Sequence, residues 1–239
     1  RKEMEIVIRK DIKKYMEELK IWLEAQREIP LEGMDEFFTA RVKIYDEHMS
    51  IWKEAYRVLP DYLPEKVDKI LDLGIGTGLE LEGIYRKFPS VSVTGIDLSR
   101  SMLDELERKY SGRKFTALCG DYFKEDFGQE YDVVVSVESL HHFSPIKKGE
   151  LYRKIYHSLK CGGIFLLCDY IACCEEEETL LAEECMRKRK IQKISDGDFV
   201  HFDTPLTLTH EISLLKDAGF VSAEAVTSIE GATLILSIK

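Results

Sequence analysis

Residues 71–78 read Leu-Asp-Leu-Gly-Ile-Gly-Thr-Gly, directly after a short apolar run and directly before a helical pattern. Three glycines at a strand-to-helix turn let the backbone reverse sharply and admit a ligand to van der Waals distance, in space that side chains would otherwise fill. Such a turn commits the chain to an α/β sheet with its binding site at a strand's carboxyl end. Position 79 is leucine, so the glycines fit GxGxG and miss the GxGxxG spacing of pyrophosphate-binding turns. Asp72, two residues before Gly74, adds a carboxylate at the strand end, which suits a cationic ligand and suits a pyrophosphate poorly.

The rest of the chain agrees with that commitment. Short β-branched and apolar runs at 69–73, 92–96, 114–119, 131–137 and 163–169 predict strands, and 78–88, 99–110 and 146–159 predict helices between them. This alternation is the pattern of an open parallel sheet covered by helices on both faces. Further helices are expected at 175–194 and at 207–218, the second ended by Gly219. Two last apolar runs, 221–229 and 232–238, are joined by Glu230-Gly231, a hairpin signal. Upstream, Ile8, Ile12, Tyr15, Leu19 and Trp22 fall on one face of a helix expected over 3–28. An aromatic-rich helix is expected over 35–59, carrying Phe37, Phe38, Tyr45, Met49, Trp52 and Tyr56. We therefore expect an N-terminal helical lid or cap at 1–65 and a ligand-binding domain at 66–239, with an inserted helical segment at about 171–205. The first helix could instead pack on a second subunit, in a homodimer.

Bulk properties narrow the partners. The formal net charge of -10 makes a phosphate backbone an unfavourable neighbour, which argues against nucleic acid. No apolar run approaches the roughly 20 residues of a membrane span, so no membrane partner and no signal peptide are expected. The six cysteines show no CxxC pair and no disulfide framework, which fits reduced thiols and a cytoplasmic location. No metal is expected from their spacing.

Two further acids stand where a nucleoside would be held. Asp97, with Leu98 beside it, closes the second strand, where a carboxylate accepts from both ribose hydroxyls; its plainer reading is an N-cap for the next helix. Asp121 and Tyr122 follow the third strand, where a carboxylate and a ring suit an adenine.

Taken in order, Asp-Leu-Gly-Ile-Gly-Thr-Gly, Gly95-Ile96-Asp97, Gly120-Asp121, Tyr131-Asp132-Val133-Val134-Val135 and Leu159-Lys160-Cys161-Gly162-Gly163 resemble the class I S-adenosylmethionine-dependent methyltransferases. That resemblance implies a Rossmann-like α/β fold: a seven-stranded, mostly parallel sheet with an antiparallel last strand. It also implies S-adenosyl-L-methionine as cofactor and S-adenosyl-L-homocysteine as product. Carried over residue by residue, Asp72, Gly74, Gly76 and Gly78 hold the methionine portion, Asp97 the ribose, and Asp121 with Tyr122 the adenine, with Leu98 a further cofactor contact. Ile75 departs from the family's usual small residue and is expected to narrow the loop. Tyr45-Asp46-Glu47-His48 and Ser139-Leu140-His141-His142-Phe143 are similar to members acting on small molecules, and to the carboxy-S-adenosylmethionine synthases of tRNA wobble modification. Tyr45 is then the expected closure over the cofactor.

The resemblance implies methyl transfer to a small-molecule acceptor, in which holding the reactants collinear supplies much of the catalysis. Glu138, His141 and His142, after the fourth strand, stand nearest the reaction, and one histidine could take a proton. Asp169, Tyr170, His201, Phe202 and His210 are further candidates around the cleft. The alternatives are a carboxyl-transferring or tRNA-related enzyme of the same fold, for which Arg41 and the run from Arg187 to Arg189 offer cations, and a non-catalytic cofactor-binding module. A nicotinamide enzyme is disfavoured by Asp72 and Leu79.

Overall fold

The structure, a computed structural model, describes residues 5–239, so Glu3 and Met4 of the first expected helix lie outside the described residues. Seven strands form one sheet: β1 Lys69–Leu73, β2 Ser92–Asp97, β3 Phe115–Cys119, β4 Tyr131–Val137, β5 Leu159–Tyr170, β6 Ser222–Ile229 and β7 Ala232–Ile238. Their order is β3-β2-β1-β4-β5-β7-β6. The first five strands pair in parallel, and β7 runs antiparallel between β5 and β6. The closing hairpin explains that reversal: Glu230 and Gly231 both take positive φ, +48° and +91°, the hand that continues strand twist through a two-residue turn.

Alternation along the central strands sends side chains to two separate cores. Leu71, Leu73 and Val134 pack on one face of the sheet. Ile70, Val133 and Val135 pack on the other. Because β1 is flanked by β2 on one side and β4 on the other, the chain changes direction across the sheet there, leaving a crevice at the carboxyl ends of β1 and β4.

The helices over the sheet are α5 Leu81–Lys87, α6 Arg100–Lys109, α7 Pro145–Ser158, α8 Glu175–Gln192 and α9 Leu208–Asp217, numbered after four N-terminal ones. Ser99 caps α6 by accepting from the Met102 N–H at 3.3 Å, so the cap that Asp97 was weighed for falls to Ser99. Between α7 and α9, Lys148 Nζ donates to Glu211 Oε2 at 2.8 Å with both side chains fully buried, and the Tyr152 hydroxyl donates to the same carboxylate.

The N-terminal region corrects the expected helices. The first, α1 Ile12–Ala25, is shorter than 3–28 because Asp11 caps it, accepting from the Lys14 N–H at 3.0 Å. Upstream of that cap, the Ile8 carbonyl accepts from the Gly231 N–H at 3.1 Å, which ties the segment to the hairpin turn instead. The expected 35–59 helix breaks into α2 Met34–Arg41, α3 Tyr45–His48, a 3-10 turn Met49–Trp52 and α4 Lys53–Val58. The first break falls at the β-branched Val42 and Ile44, which lose χ1 freedom in a helix. The α1 residues Met16 and Leu19 cluster with Leu181, Cys185, Val200 and Phe202, joining the N-terminal segment to the 171–205 region. Among the described residues no helix is long and apolar enough to cross a membrane.

Candidate active site

The crevice holds a small cleft of about 50 Å³ bordered by Gly74, Gly76, Asp97, Leu98, Tyr122 and Ser139. Gly74 has φ +72°, and a Cβ there would fall on the Ser139 side chain. Ser139 Oγ is hydrogen-bonded to the Tyr122 hydroxyl at 2.9 Å, so it has no free direction in which to yield. Gly76, at φ +54°, faces the cleft, where an added Cβ would meet nothing nearer than the Tyr45 hydroxyl at 3.6 Å. Asp97 Oδ2 accepts from the Gly76 N–H at 2.8 Å and Oδ1 from the Ser99 N–H at 2.9 Å. Each oxygen keeps a lone pair, enough to receive two ligand hydroxyls. A cradle of bare main chain facing a fixed carboxylate and a tyrosine ring suits the amino-acid and nucleoside ends of S-adenosylmethionine.

Three expected cofactor contacts do not border this cleft. Asp72 is fully buried beneath the loop, neither oxygen having a hydrogen-bond partner among the described residues. Burial first, and the neighbouring Glu80 next, hold its carboxyl well above the usual range. Gly78 turns toward Leu106 and Tyr110 and serves helix packing. Asp121 accepts from the Phe123 N–H at 2.8 Å, as a turn residue does. Nor does Ile75 narrow the loop: it is buried against Gly95, where a Cβ would strike Ile75 Cδ1, so its bulk sits in the core.

A second cavity of about 680 Å³ adjoins the cleft, and its walls include Trp22, Phe37, Met49, Trp52, Tyr170 and Phe202. Phe38, Tyr45, Glu138 and His142 border both cavities. Tyr45 is positioned through its neighbour: Asp46 on α3 accepts from the Thr77 hydroxyl of the glycine loop and pairs with Lys109 of α6 at 2.7 Å. Glu138 follows β4 in the left-handed region at φ +50°, with its N–H bonded to the Cys168 carbonyl at 2.7 Å. Burial pushes its carboxyl up to about 8 against the opposing charge of His141.

The two histidines have unlike surroundings. His141 Nδ1 is hydrogen-bonded to Asp169, and its Nε2 lies 3.2 Å from Asp203 Oδ1. Burial alone would lower its pKa, but Asp169 and Asp203 outweigh it and hold the ring well above its ordinary value. His142 is held well below, by burial first and then by the charge on His141. Its Nδ1 lies 3.3 Å from the Phe202 carbonyl and 3.5 Å from Asp203 Oδ1. His201 stacks on Phe37 at the chamber wall, whereas His210 is on the surface beside Glu178.

Asp203, Arg9 and Ser139 carried no expected role. Asp203 had a signal, since it stands two residues after His201 near the end of the inserted segment. Arg9 had none. Its guanidinium lies over the Tyr15 ring at 3.8 Å, its Nε is buried without a hydrogen-bond partner among the described residues, and it borders the chamber. Of the three arginines expected to offer cations, Arg41 borders the chamber while held by Glu32 at 3.0 Å. Arg187 is spent on Glu184, and Arg189 on the Ser195 and Asp198 carbonyls.

A glycine loop and a strand-end acid facing one crevice at the direction change of a parallel sheet define a nucleoside-binding α/β protein. The comparisons with known proteins narrow that class. A family described as "Methyltransferase domain" matches residues 70–163. The carboxy-S-adenosyl-L-methionine synthase of Nautilia profundicola is 27% identical over 192 residues, 71% of this chain and 76% of that protein. The malonyl-[acyl-carrier protein] O-methyltransferase of Priestia megaterium is 29% identical over 97 residues, 41% of this chain and 35% of that protein. Among solved structures, human N-acetylserotonin methyltransferase in complex with SAM superposes with TM-score 0.63 at 22% identity, over 83% of this chain and 55% of that one. The chain thus spans about a third of the bacterial O-methyltransferase and about half of the human enzyme. Together these likenesses support a class I S-adenosylmethionine-dependent methyltransferase with S-adenosylmethionine as cofactor.

Proposed function

We propose that the chain transfers a methyl group from S-adenosylmethionine in the glycine-loop cleft to a small-molecule acceptor in the 680 Å³ chamber. The observation that carries this reading is the shared border: Glu138, His142, Tyr45 and Phe38 face both cavities, so a donor in one meets an acceptor in the other. The main chain at Gly74 and Gly76 takes the methionine portion, Asp97 the ribose, and Leu98 with Tyr122 the adenine. Gly78 shapes the loop, Asp121 shapes the rim, and Asp72 places a carboxyl beneath it. The cofactor supplies an electrophilic methyl on a sulfonium. The protein's part is to align and desolvate, which alone accounts for much of the acceleration of such a displacement. Glu138 and His142 orient the acceptor atom, and His141, held by carboxylates at both ring nitrogens, is a positioning residue. Residues 1–65 act as the lid, with Tyr45 closing over the cofactor, and 171–205 completes the roof. Cytoplasmic residence is part of this reading, supported by the spacing of the six cysteines in the sequence.

Asp97→Ala removes both hydroxyl acceptors, so affinity for S-adenosylhomocysteine in calorimetry should fall by about 1–3 kcal/mol. Unchanged affinity refutes the ribose assignment. Carboxyl transfer onto the cofactor is the second reading, favoured by Arg9, whose unpartnered Nε suits a carboxylate, and by the Nautilia relative. Mass spectrometry of ligand retained through purification separates the two: a carboxylated cofactor supports the second, S-adenosylmethionine or S-adenosylhomocysteine the first.

A further inference from the structure

We propose that His141, His142 and Asp203 form a binding site for a divalent transition-metal ion that opens into the acceptor chamber, a role for the chamber that rests on the methyltransfer reading. His141 Nε2, His142 Nδ1 and one Asp203 oxygen lie within 4.8 Å of one another. Two ring nitrogens converge on the same oxygen, His141 Nε2 at 3.2 Å and His142 Nδ1 at 3.5 Å. The longer separation exceeds a good N–H···O bond, which runs to about 3.2 Å, and so does the 3.3 Å from His142 Nδ1 to the Phe202 carbonyl, a contact the ring gives up on binding an ion. Both match an edge of a tetrahedron of ligands held at about 2.0–2.2 Å, roughly 3.4 Å, and the third pair of ligand atoms lies within 4.8 Å.

The surroundings are built for such an ion. His141 directs its other nitrogen, Nδ1, to Asp169, the carboxylate–histidine pairing that fixes the tautomer of a metal-bound imidazole and leaves Nε2 as the ligand. Asp169 is itself held by the Tyr170 N–H at 2.9 Å. The segment carrying Asp203 is clamped to the histidine turn: the Thr204 N–H and hydroxyl both donate to the His141 carbonyl, at 2.7 Å and 3.0 Å. Glu138, His141 and Asp169 also cluster, but there His141 Nδ1 is already spent on its hydrogen bond to Asp169. An ion bound at His141 Nε2 takes the place of the proton between that nitrogen and Asp203, so the cation facing the two carboxylates is exchanged and not lost.

The ligand set is two histidines and one carboxylate. It suits Zn²⁺ and its first-row neighbours and leaves a coordination position open, as in catalytic sites. Both histidines are buried, while Asp203 is nearly half exposed to the chamber, so the open position faces the acceptor. The acceptor class this selects is one with an oxygen donor, such as a hydroxyl or carboxylate group.

The test uses tag-free protein stripped with chelator and titrated with Zn²⁺ alone, by calorimetry and by elemental analysis after gel filtration. One equivalent is expected in the wild type and in His210→Ala, which removes a surface histidine. Asp203→Asn and His142→Ala should abolish the one-to-one binding, and Asp169→Asn, one shell out, should weaken it about 10–100-fold. Cobalt in the wild type should give visible absorption that Asp203→Asn loses. S-adenosylhomocysteine affinity measured on the same samples reports whether each variant is folded and cofactor-competent. No zinc on a cofactor-competent wild type, or full zinc on Asp203→Asn, overturns the site. Zinc binding without methyl transfer to any acceptor overturns the methyltransfer reading and leaves the metal site standing.

Discussion

Gly76→Val should cut the affinity for S-adenosylhomocysteine more than a hundredfold while the protein remains folded. Gly76 sits at φ +54° facing a cleft of about 50 Å³. A β-branched residue in that region costs about 1–2 kcal/mol of backbone energy, which lowers stability with or without cofactor, while its methyl groups occupy the cofactor's space and so act on affinity. The fold should tolerate the change, because the nearest atoms to an added Cβ belong to the Tyr45 side chain, at 3.6–3.8 Å, an ordinary contact distance. Calorimetric titration together with a thermal melt checks both halves. Near-normal affinity in the variant would mean that the cofactor does not lie on this loop. Gly74→Val is a harsher change, since its Cβ would fall on the locked Ser139, and it should lower stability as well.

The second large effect lies on the opposite link of the account, stability without chemistry. Lys148→Ala should destabilise the protein by about 3–5 kcal/mol in urea unfolding, because it leaves the Glu211 carboxylate buried without its cation. The cost comes from the stranded charge. Lys148→Met combined with Glu211→Gln, which removes both charges and keeps most of the volume, should therefore recover a large part of it. A loss below about 1 kcal/mol for Lys148→Ala would mean that Tyr152 alone sustains the carboxylate, or that water reaches it.

What could be read from the chain beforehand divides along physical lines. The strands, the glycine loop and the closing hairpin were legible because each is written locally, in a two-residue alternation, a positive-φ glycine or a two-residue turn. The N-terminal helices were not. Their periodicity ran through Asp11, Val42 and Ile44, and the competing contacts that end them, such as Ile8 against Gly231, come from 223 residues further along. The acid at position 97 was legible as a candidate, but its cap function belongs to Ser99, a choice settled only by where the two side chains point.

The same division runs through the site. His141 and His142 stood out as a pair, yet nothing local separates them. Their difference comes chiefly from Asp169, brought from the end of β5 to His141 alone, whereas Asp203 of the inserted segment lies beside both rings. Arg9 reaches the chamber from outside any motif.

Incubation with methyl-tritiated S-adenosylmethionine and a panel of small-molecule acceptors tests the central claim most directly. Label is expected in a small organic product in the wild type, with a sharp fall in Gly76→Val and Asp97→Ala. Label that never leaves the cofactor across the panel, from a protein that binds S-adenosylhomocysteine tightly, would contradict that claim.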